Sequence, residues 1–328
     1  MLNAAVIGVG SMGKNHARVY SEIDGVNLVA VSDSRKDVCD SVAGQFNARA
    51  YTDYGEMLEK EKLDIVNVVV PTMMHEQVAL DVIGAGVNVF VEKPISYNIE
   101  SARKIIDAAK ARKVKLTVGH IERFNPVVMK IKELLDRGVL GNVWSATITR
   151  KGPFPDRIRD VGVVIDLGVH DIDIMRHLFG TEIIRISAET ERRIHTDHED
   201  YLNAILRFES GVVGVMDVNW LTPVKIRQIH ISGEKGMLSG DYIKQELTFY
   251  RNGNSGEVEN IRIEKKEPLK TEIEAFRDCV TQDRHPAVNG IDGLISLEMV
   301  LNILKAAKTK NSVNCNGNGK PAEQEKGG

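Results

Sequence analysis

Gly8-Val9-Gly10-Ser11-Met12-Gly13 constrains this chain more than any other stretch of it. The apolar run Ala4 to Ile7 leads into G-x-G-x-x-G, and a helical pattern opens at once over Lys14 to Ser21. Such a strand, turn and helix begin a βαβ unit. Its first glycine permits the tight turn, the second lets backbone approach a pyrophosphate, and the third lets helix and strand pack closely. The helix N-terminus offers N–H groups without intrahelical acceptors, and a partial positive charge, to that phosphate. A second apolar run, Leu28 to Ser32, ends at Asp33, twenty residues past Gly13, where a carboxylate accepts hydrogen bonds from a ribose diol. A purely structural glycine turn is the alternative, and the acid at this distance weighs against it. The same carboxylate repels a ribose 2′-phosphate, so NAD is favoured over NADP, with Arg35 and Lys36 placed to offset part of that repulsion.

Up to about residue 120 strand and helix patterns alternate: strands at 3–7, 28–32, 64–70, 88–91 and 114–118, helices at 12–22, 36–44, 54–60, 75–85 and 99–111. The runs Ile65 to Val70 and Val87 to Val91 are apolar on both faces, as a sheet covered by helices on both sides requires. This predicts an α/β chain whose N-terminal part, 1–121, is a doubly wound parallel (Rossmann) sheet that binds the dinucleotide. Ligands of such sheets lie at the carboxyl ends of the strands, which places Pro71 and Glu92-Lys93-Pro94 at the cleft.

After residue 140 alternating strands follow one another, at 143–149, 183–191, 202–208, 212–220, 226–232, 237–241 and 246–250, with one helix near 165–178. Glu209-Ser210-Gly211 and Gly233-Glu234-Lys235-Gly236 read as hairpin turns. This predicts a C-terminal α+β domain, 122–310, with an open, mainly antiparallel sheet and closing helices near 271–281 and 291–308. Trp144, Val213 and Val215 on its outer face suggest cover by another subunit, hence a homo-dimer or homo-tetramer. The tail 311–328 has too little apolar content to pack and is expected to be disordered.

Composition excludes other classes. A net charge of −3 leaves no basic footprint for nucleic acid or an anionic membrane. No apolar run approaches a bilayer span, and the apolar N-terminus reads as a buried strand, not a leader. Three scattered cysteines, with no C-x-x-C, suggest free thiols in a reducing cytoplasm.

Two places carry candidate chemistry. Lys93 is locked between Glu92 and Pro94, so its ammonium is held where it can bind a substrate oxygen near a nicotinamide and stabilise negative charge there; a surface lysine at a strand end is the plain alternative. Asp166 and His170 lie four apart on one helix face, and histidine can take an alcohol proton near neutral pH while a carboxylate orients it. An exposed i,i+4 pair is the competing reading. Asp166, His170, Asp173 and His177 form a stripe of potential metal ligands, and His195 to Asp200 is ligand-rich too. A polar helix face and an exposed polar turn explain them better, so no metal is expected. Arg150, Lys151, Arg157 and Arg159 crowd one loop, where a solvated basic surface competes with an anionic substrate such as a nucleotide sugar.

Taken together, the chain resembles the glucose–fructose oxidoreductase, inositol dehydrogenase and rhizopine catabolism (Gfo/Idh/MocA) family over residues 3 to about 308. The resemblance rests on Gly8-x-Gly10-x-x-Gly13, Pro71…His75, Glu92-Lys93-Pro94, Gly119-His120-Ile-Glu-Arg123-Phe-Asn125-Pro126, Asp166-x-x-x-His170 and Gly233-Glu-Lys-Gly236. Glu122-Arg123-Phe124 departs from the usual Arg-Arg-Phe. The resemblance implies an NAD-dependent sugar dehydrogenase with Lys93, Asp166 and His170 catalytic. Gly8, Gly10, Ser11, Met12, Gly13, Asp33, Pro71, His75, Glu92 and Lys93 would hold the cofactor. Lys93, Arg123, Asn125, Arg157, Arg159 and His170 would hold the substrate. Within the family, the stretches around His120 and from Gly152 to Asp173 are similar to archaeal-type UDP-N-acetylglucosamine 3-dehydrogenases, which implies oxidation of the sugar 3-hydroxyl. Inositol or simple sugar dehydrogenation, an NAD-dependent glycosidase and a non-catalytic NAD-sensing module are the alternatives.

Overall fold

Apolar runs with no polar face become the centre of a parallel sheet. The structure, a computed structural model, describes residues 1–155, 161–195, 197–253 and 256–315. Its first elements are β1 (Leu2–Ile7), α1 (Ser11–Glu22), β2 (Val26–Ser32), α2 (Lys36–Phe46), β3 (Arg49–Tyr51), α3 (Tyr54–Lys60), β4 (Ile65–Val68), α4 (His75–Gly84), β5 (Asn88–Glu92), α5 (Ile99–Arg112) and β6 (Leu116–Gly119). The six strands lie in the order β3-β2-β1-β4-β5-β6, every pair parallel. Ile65, Val66, Val68, Val89, Phe90 and Val91 are fully buried, because both faces of the sheet are covered. The order reverses between β1 and β4, and the chain leaves their carboxyl ends at Gly8 and Val69, at the switch point where doubly wound sheets bind ligands.

The later elements are α6 (Pro126–Asp136), β7 (Val143–Lys151), α7 (Val169–Phe179), β8 (Ile183–Glu191), β9 (Tyr201–Phe208), β10 (Val213–Asn219), β11 (Ile226–Gly233), β12 (Gly236–Asp241), β13 (Glu246–Arg251), β14 (Val258–Ile261), α8 (Pro268–Thr281), α9 (Gly290–Thr309) and β15 (Val313–Asn314). Nine strands form the second sheet, in the order β14-β13-β12-β11-β7-β10-β9-β8-β15. All its pairs are antiparallel except β7 with β10. Burial alternates along its strands: Leu202, Ala204, Leu206 and Phe208 are inside, while Ile205 is 56% exposed. Helices take the inner face at close range. A Cβ on Gly240 would stand 2.7 Å from Val127 Cγ1 of α6, and one on Gly214 2.7 Å from Met175 Sδ of α7.

Two departures from the sequence reading concern boundaries. The chain forms two compact units, Met1–Phe124 with Lys266–Leu297, and Asn125–Lys265 with Glu298–Gly328. The sequence reading placed the closing helices in the second domain, but α8 buries Leu269, Ile273, Phe276 and Cys279 in one core with Ala4, Val6 and Phe90. The tail was expected to be disordered from residue 311; instead Val313 and Asn314 pair with Ile186 and Arg185, and Cys315 N–H donates to Ile184 O. The edge of the second sheet supplies the hydrogen-bond partners that composition could not reveal. Residues 316–328 lie outside the described residues. The short β3, β14 and β15 and the helix α6 were not read from the sequence.

Among the described residues no helix is long and apolar enough to cross a membrane. The three cysteines are free and buried.

Candidate functional site

The glycines of the first turn do different work. Gly8 has φ +85°, and a Cβ there would stand 2.6 Å from Val69 O. A Cβ on Gly13 would stand 1.8 Å from Gly8 O, so these two glycines close the turn upon itself. At Gly10 the nearest atom to a Cβ would be Arg35 Nη2, at 3.7 Å, which leaves that side open to a ligand. α1 begins at Ser11 with no side-chain cap and no acid in its first turn, as an anion-binding helix end requires. Met12 turns its side chain into the core, so its contribution to a ligand is backbone.

Asp33 stands at the end of β2. Its Oδ2 accepts Val9 N–H (3.0 Å) and its Oδ1 accepts Arg35 N–H (3.0 Å), while the Arg35 guanidinium bridges both oxygens at 3.1 and 3.2 Å. Burial pushes this carboxyl up, but Arg35 and the two N–H groups outweigh it and hold it below the usual aspartate value. An ionised acceptor therefore waits at the place for a ribose diol. A crevice of about 550 Å³ adjoins it, lined by Gly8, Asp33, Arg35, Tyr54, Pro71 and Met74 among others. Open glycine, uncapped helix end and ionised acid fit a dinucleotide.

Glu92, the last residue of β5, is buried. Its Oε1 lies 3.0 Å from His16 Nε2 and its Oε2 accepts Lys93 N–H at 3.1 Å. Burial works to raise its carboxyl, and His16 and Lys93 reverse that and lower it. Lys93 itself is half-buried. The Lys93–Pro94 peptide is cis. His75, expected beside the cofactor, is 1% exposed, and its Nδ1 and Nε2 lie 2.9 Å from the carbonyl oxygens of Pro94 and Val70. Burial holds its imidazole below the usual value, and a neutral ring donates to one of the two. The ring stands between the loop behind Lys93 and the Pro71 turn.

In the second unit Asp166 sits in a π-helical turn, Val164–Gly168, that runs directly into α7 and His170. The sequence suggested an amphipathic helix with a polar face along a cleft. The structure instead buries α7 nearly all round: Asp171 and Asp173 are at most 1% exposed, and His170 is 9% exposed. Asp171 accepts Arg150 Nε at 2.7 Å, with both residues buried. Glu199 Oε1 accepts Val164 N–H at 3.1 Å and Glu199 O accepts Val163 N–H at 2.9 Å, which caps the turn that carries Asp166. Burial pushes the Glu199 carboxyl up. The Arg150–Asp171 pair and the Glu199 cap were missed in the sequence, because their partners are 21 and 35 residues apart.

Several expected substrate contacts have other partners. Arg150 holds Asp171, and Lys151 pairs with Asp217. Arg123 pairs with Asp292 at 3.2 Å. Asn125 caps α6, accepting Val127 N–H at 3.1 Å and donating to Tyr242 O at 3.2 Å. The Asn-Pro pair at a helix start is a capping signal. Arg157 and Arg159 lie outside the described residues. Of the ligand-rich stretch read as an exposed polar turn, Asp197 is exposed but His195 and Asp200 are buried, and Asp200 accepts the N–H groups of Arg193, Ile194 and His195. Among the described residues no three His, Cys, Asp or Glu side chains group as a metal site.

Residues 2–120 match the profile of an oxidoreductase family with an NAD-binding Rossmann fold, and residues 128–239 match the GFO/IDH/MocA C-terminal domain. The chain is 30% identical to myo-inositol 2-dehydrogenase of Thermotoga maritima, over 95% of this chain and 98% of that one. It is 28% identical to UDP-N-acetylglucosamine 3-dehydrogenase of Acidithiobacillus ferrooxidans, over 94% of this chain and 97% of that one. A solved structure of the latter enzyme superposes with a TM-score of 0.86, covering 94% and 98% of the two chains. GenD2 from gentamicin A biosynthesis, solved in complex with NAD, superposes with a TM-score of 0.85 at 28% identity, covering 96% of each chain.

Proposed function

Because the chain belongs to the GFO/IDH/MocA oxidoreductase family, we propose that it oxidises a secondary hydroxyl of a sugar, with the 3-hydroxyl of UDP-N-acetylglucosamine as the leading substrate. NAD, when bound, supplies the acceptor for the hydride that leaves the carbinol carbon. The observation that carries the dehydrogenase reading is the dinucleotide cradle, with Gly10 open, the α1 terminus uncapped and Asp33 ionised. Ser11 and Met12 N–H groups would face the pyrophosphate, and Pro71 would border the nicotinamide end. Lys93 holds the substrate oxygen and stabilises negative charge on it as the proton leaves. His170 takes that proton at a ring nitrogen, and Asp166, one turn before it, orients the pair.

The nucleotide-sugar assignment is supported by the similarity to the Acidithiobacillus enzyme across the whole chain and by Arg157 and Arg159, whose planar forks suit a diphosphate. A neutral inositol is the second reading. It is favoured by the pairing of Arg150, Lys151 and Arg123 with Asp171, Asp217 and Asp292, which leaves fewer cations for an anion. Incubating the protein with NAD and, in parallel, UDP-N-acetylglucosamine, N-acetylglucosamine and myo-inositol separates them through NADH absorbance. The expected result is the highest kcat/KM with UDP-N-acetylglucosamine and a keto carbon at C3 by NMR. A preference for myo-inositol overturns the nucleotide-sugar assignment, and failure to form NADH with any of the three or with any other sugar overturns the dehydrogenase reading.

The outer face of the second sheet carries Ile205, 56% exposed, beside its cross-strand neighbour Val215, and supports a homo-dimer or homo-tetramer built through that face. An Ile205→Glu, Val215→Glu double variant is expected to run as a monomer by light scattering; an unchanged mass excludes this face.

A further inference from the structure

A line of buried polar side chains crosses the core of the first unit, where apolar residues would serve packing equally well. Tyr20 Oη donates to Asn67 Oδ1 at 2.6 Å, and Asn67 Nδ2 donates to His16 Nδ1 at 2.8 Å. That leaves the ring proton on Nε2, which donates to Glu92 Oε1 at 3.0 Å, while Glu92 Oε2 accepts Lys93 N–H at 3.1 Å. Tyr20, Asn67 and His16 are at most 1% exposed. Asn67 stands mid-strand in β4 between Val66 and Val68, both fully buried. The edge of the Phe90 ring packs on His16, with centroids 5.2 Å apart at 78°. Gly119 makes the room: a Cβ there would stand 2.9 Å from Glu92 Oε1.

Each bond in this line sets the direction of the next. An ionised Glu92 requires N–H at His16 Nε2, which leaves Nδ1 to accept, which turns the Asn67 amide, whose oxygen then meets the Tyr20 hydroxyl. A buried chain of this kind is costly unless every member has a partner, and rigid when all do. It terminates on the main chain of Lys93. We infer that Tyr20, Asn67 and His16 are positioning residues that lock the Glu92 carboxylate and, through it, the backbone of Lys93. This rests on the reading of Lys93 as the group that holds the substrate oxygen. A device that fixes the backbone of that residue removes the freedom that a four-carbon side chain on a loose turn would otherwise keep.

The test compares His16→Leu, which cannot donate to Glu92, with His16→Gln, whose amide can stand in for Nε2–H. In the ligand-free protein, hydrogen exchange at the Lys93 amide is expected to rise about tenfold in His16→Leu and to stay near wild type in His16→Gln. In the assay, kcat is expected to fall by up to about 10²-fold in His16→Leu, with the Kd for NAD unchanged and most of the rate restored by Gln. Should His16→Leu fail to fold, Tyr20→Phe removes one oxygen from the far end and is expected to shift both readouts the same way, by about fivefold. An unchanged Lys93 amide, an accelerated amide with unchanged kcat, or equal losses in Leu and Gln each overturn the inference. If the wild type reduces no NAD with any sugar or inositol, the dehydrogenase reading falls on its own, and the Lys93 amide still decides whether the line holds that residue.

Discussion

The carboxylates of Asp33 and Glu92 in the first unit and of Glu199 in the second are balanced in opposite ways. In the first, Asp33 and Glu92 are kept below their usual values, because Arg35, His16, Lys93 and aimed N–H groups outweigh the effect of burial. In the second, burial wins at Glu199, although it caps the turn that carries Asp166. The first unit thus presents fixed negative charge and open N–H groups, the set that a preformed cofactor cradle needs. The second is organised around a helix buried nearly all round, which carries the ion pairs Arg150–Asp171 and Arg176–Glu182 and follows the turn capped by Glu199. A cradle can be written into one βαβ unit, from Gly8 to Asp33; a buried helix draws its partners from distant strands.

Variants at the reacting groups test this contrast most severely. Lys93→Ala is expected to lower turnover by about 10³-fold or more with NAD still bound, since a pre-aimed charge is lost from the oxygen site while the cradle stays intact. His170→Ala is expected to cost about 10²–10⁴-fold and to flatten the pH dependence. If either variant instead loses NAD affinity in step with rate, the division of labour between cradle and reacting groups is wrong.

Next comes the ion pair of the second unit. Arg150→Met removes the buried cation that pairs with Asp171 and is expected to cost about 3–5 kcal/mol in urea unfolding, whereas replacing both partners with apolar residues should recover most of that. A loss under about 1 kcal/mol, the range of an exposed pair, would remove the buried helix from the contrast. In the first unit, Gly13→Ala must push Gly8 aside and is expected to destabilise by about 1–3 kcal/mol, while Gly10→Ala leaves stability alone and weakens NAD binding. Equal effects of the two on stability would mean that Gly10 is packing too.

The smallest effects are in pH dependence. Glu92 has a folded value below the unfolded glutamate value of about 4.3, so its stabilisation is complete above that pH and disappears as pH falls through the folded value. Glu199 has a folded value above it, so ionising Glu199 costs stability as pH rises from about 4.3 through the folded value. At neutral pH, Glu92→Gln should therefore lose stability and Glu199→Gln should gain it in urea unfolding, with both differences shrinking in acid. Shifts of the same sign in the two variants would erase the comparison.

What could be read in advance followed the same division. The turn at Gly8, the acid at Asp33, the two-sided apolar strands and the alternating strands of the second sheet were legible, since each is a local pattern with one geometric outcome. The structural bonds of His75 and Asn125 were not legible, because a polar residue at a motif position looks alike whether it faces a ligand or braces a loop. His16 and Asn67 left no signal, because a polar residue inside an apolar pattern announces burial only when its partner is known.

By itself, the order of residues determined the nucleotide cradle and the parallel and mixed sheets. These follow from glycine stereochemistry and hydrophobic period, which act over one or two elements. Only the folded chain decided that α8 completes the first core, that residues 313–314 extend the second sheet, that Arg150 and Arg123 serve ion pairs, and that a line from Tyr20 ends at Lys93. Each of those depends on which distant groups share a volume closed to water, where a polar atom must find a partner or be excluded.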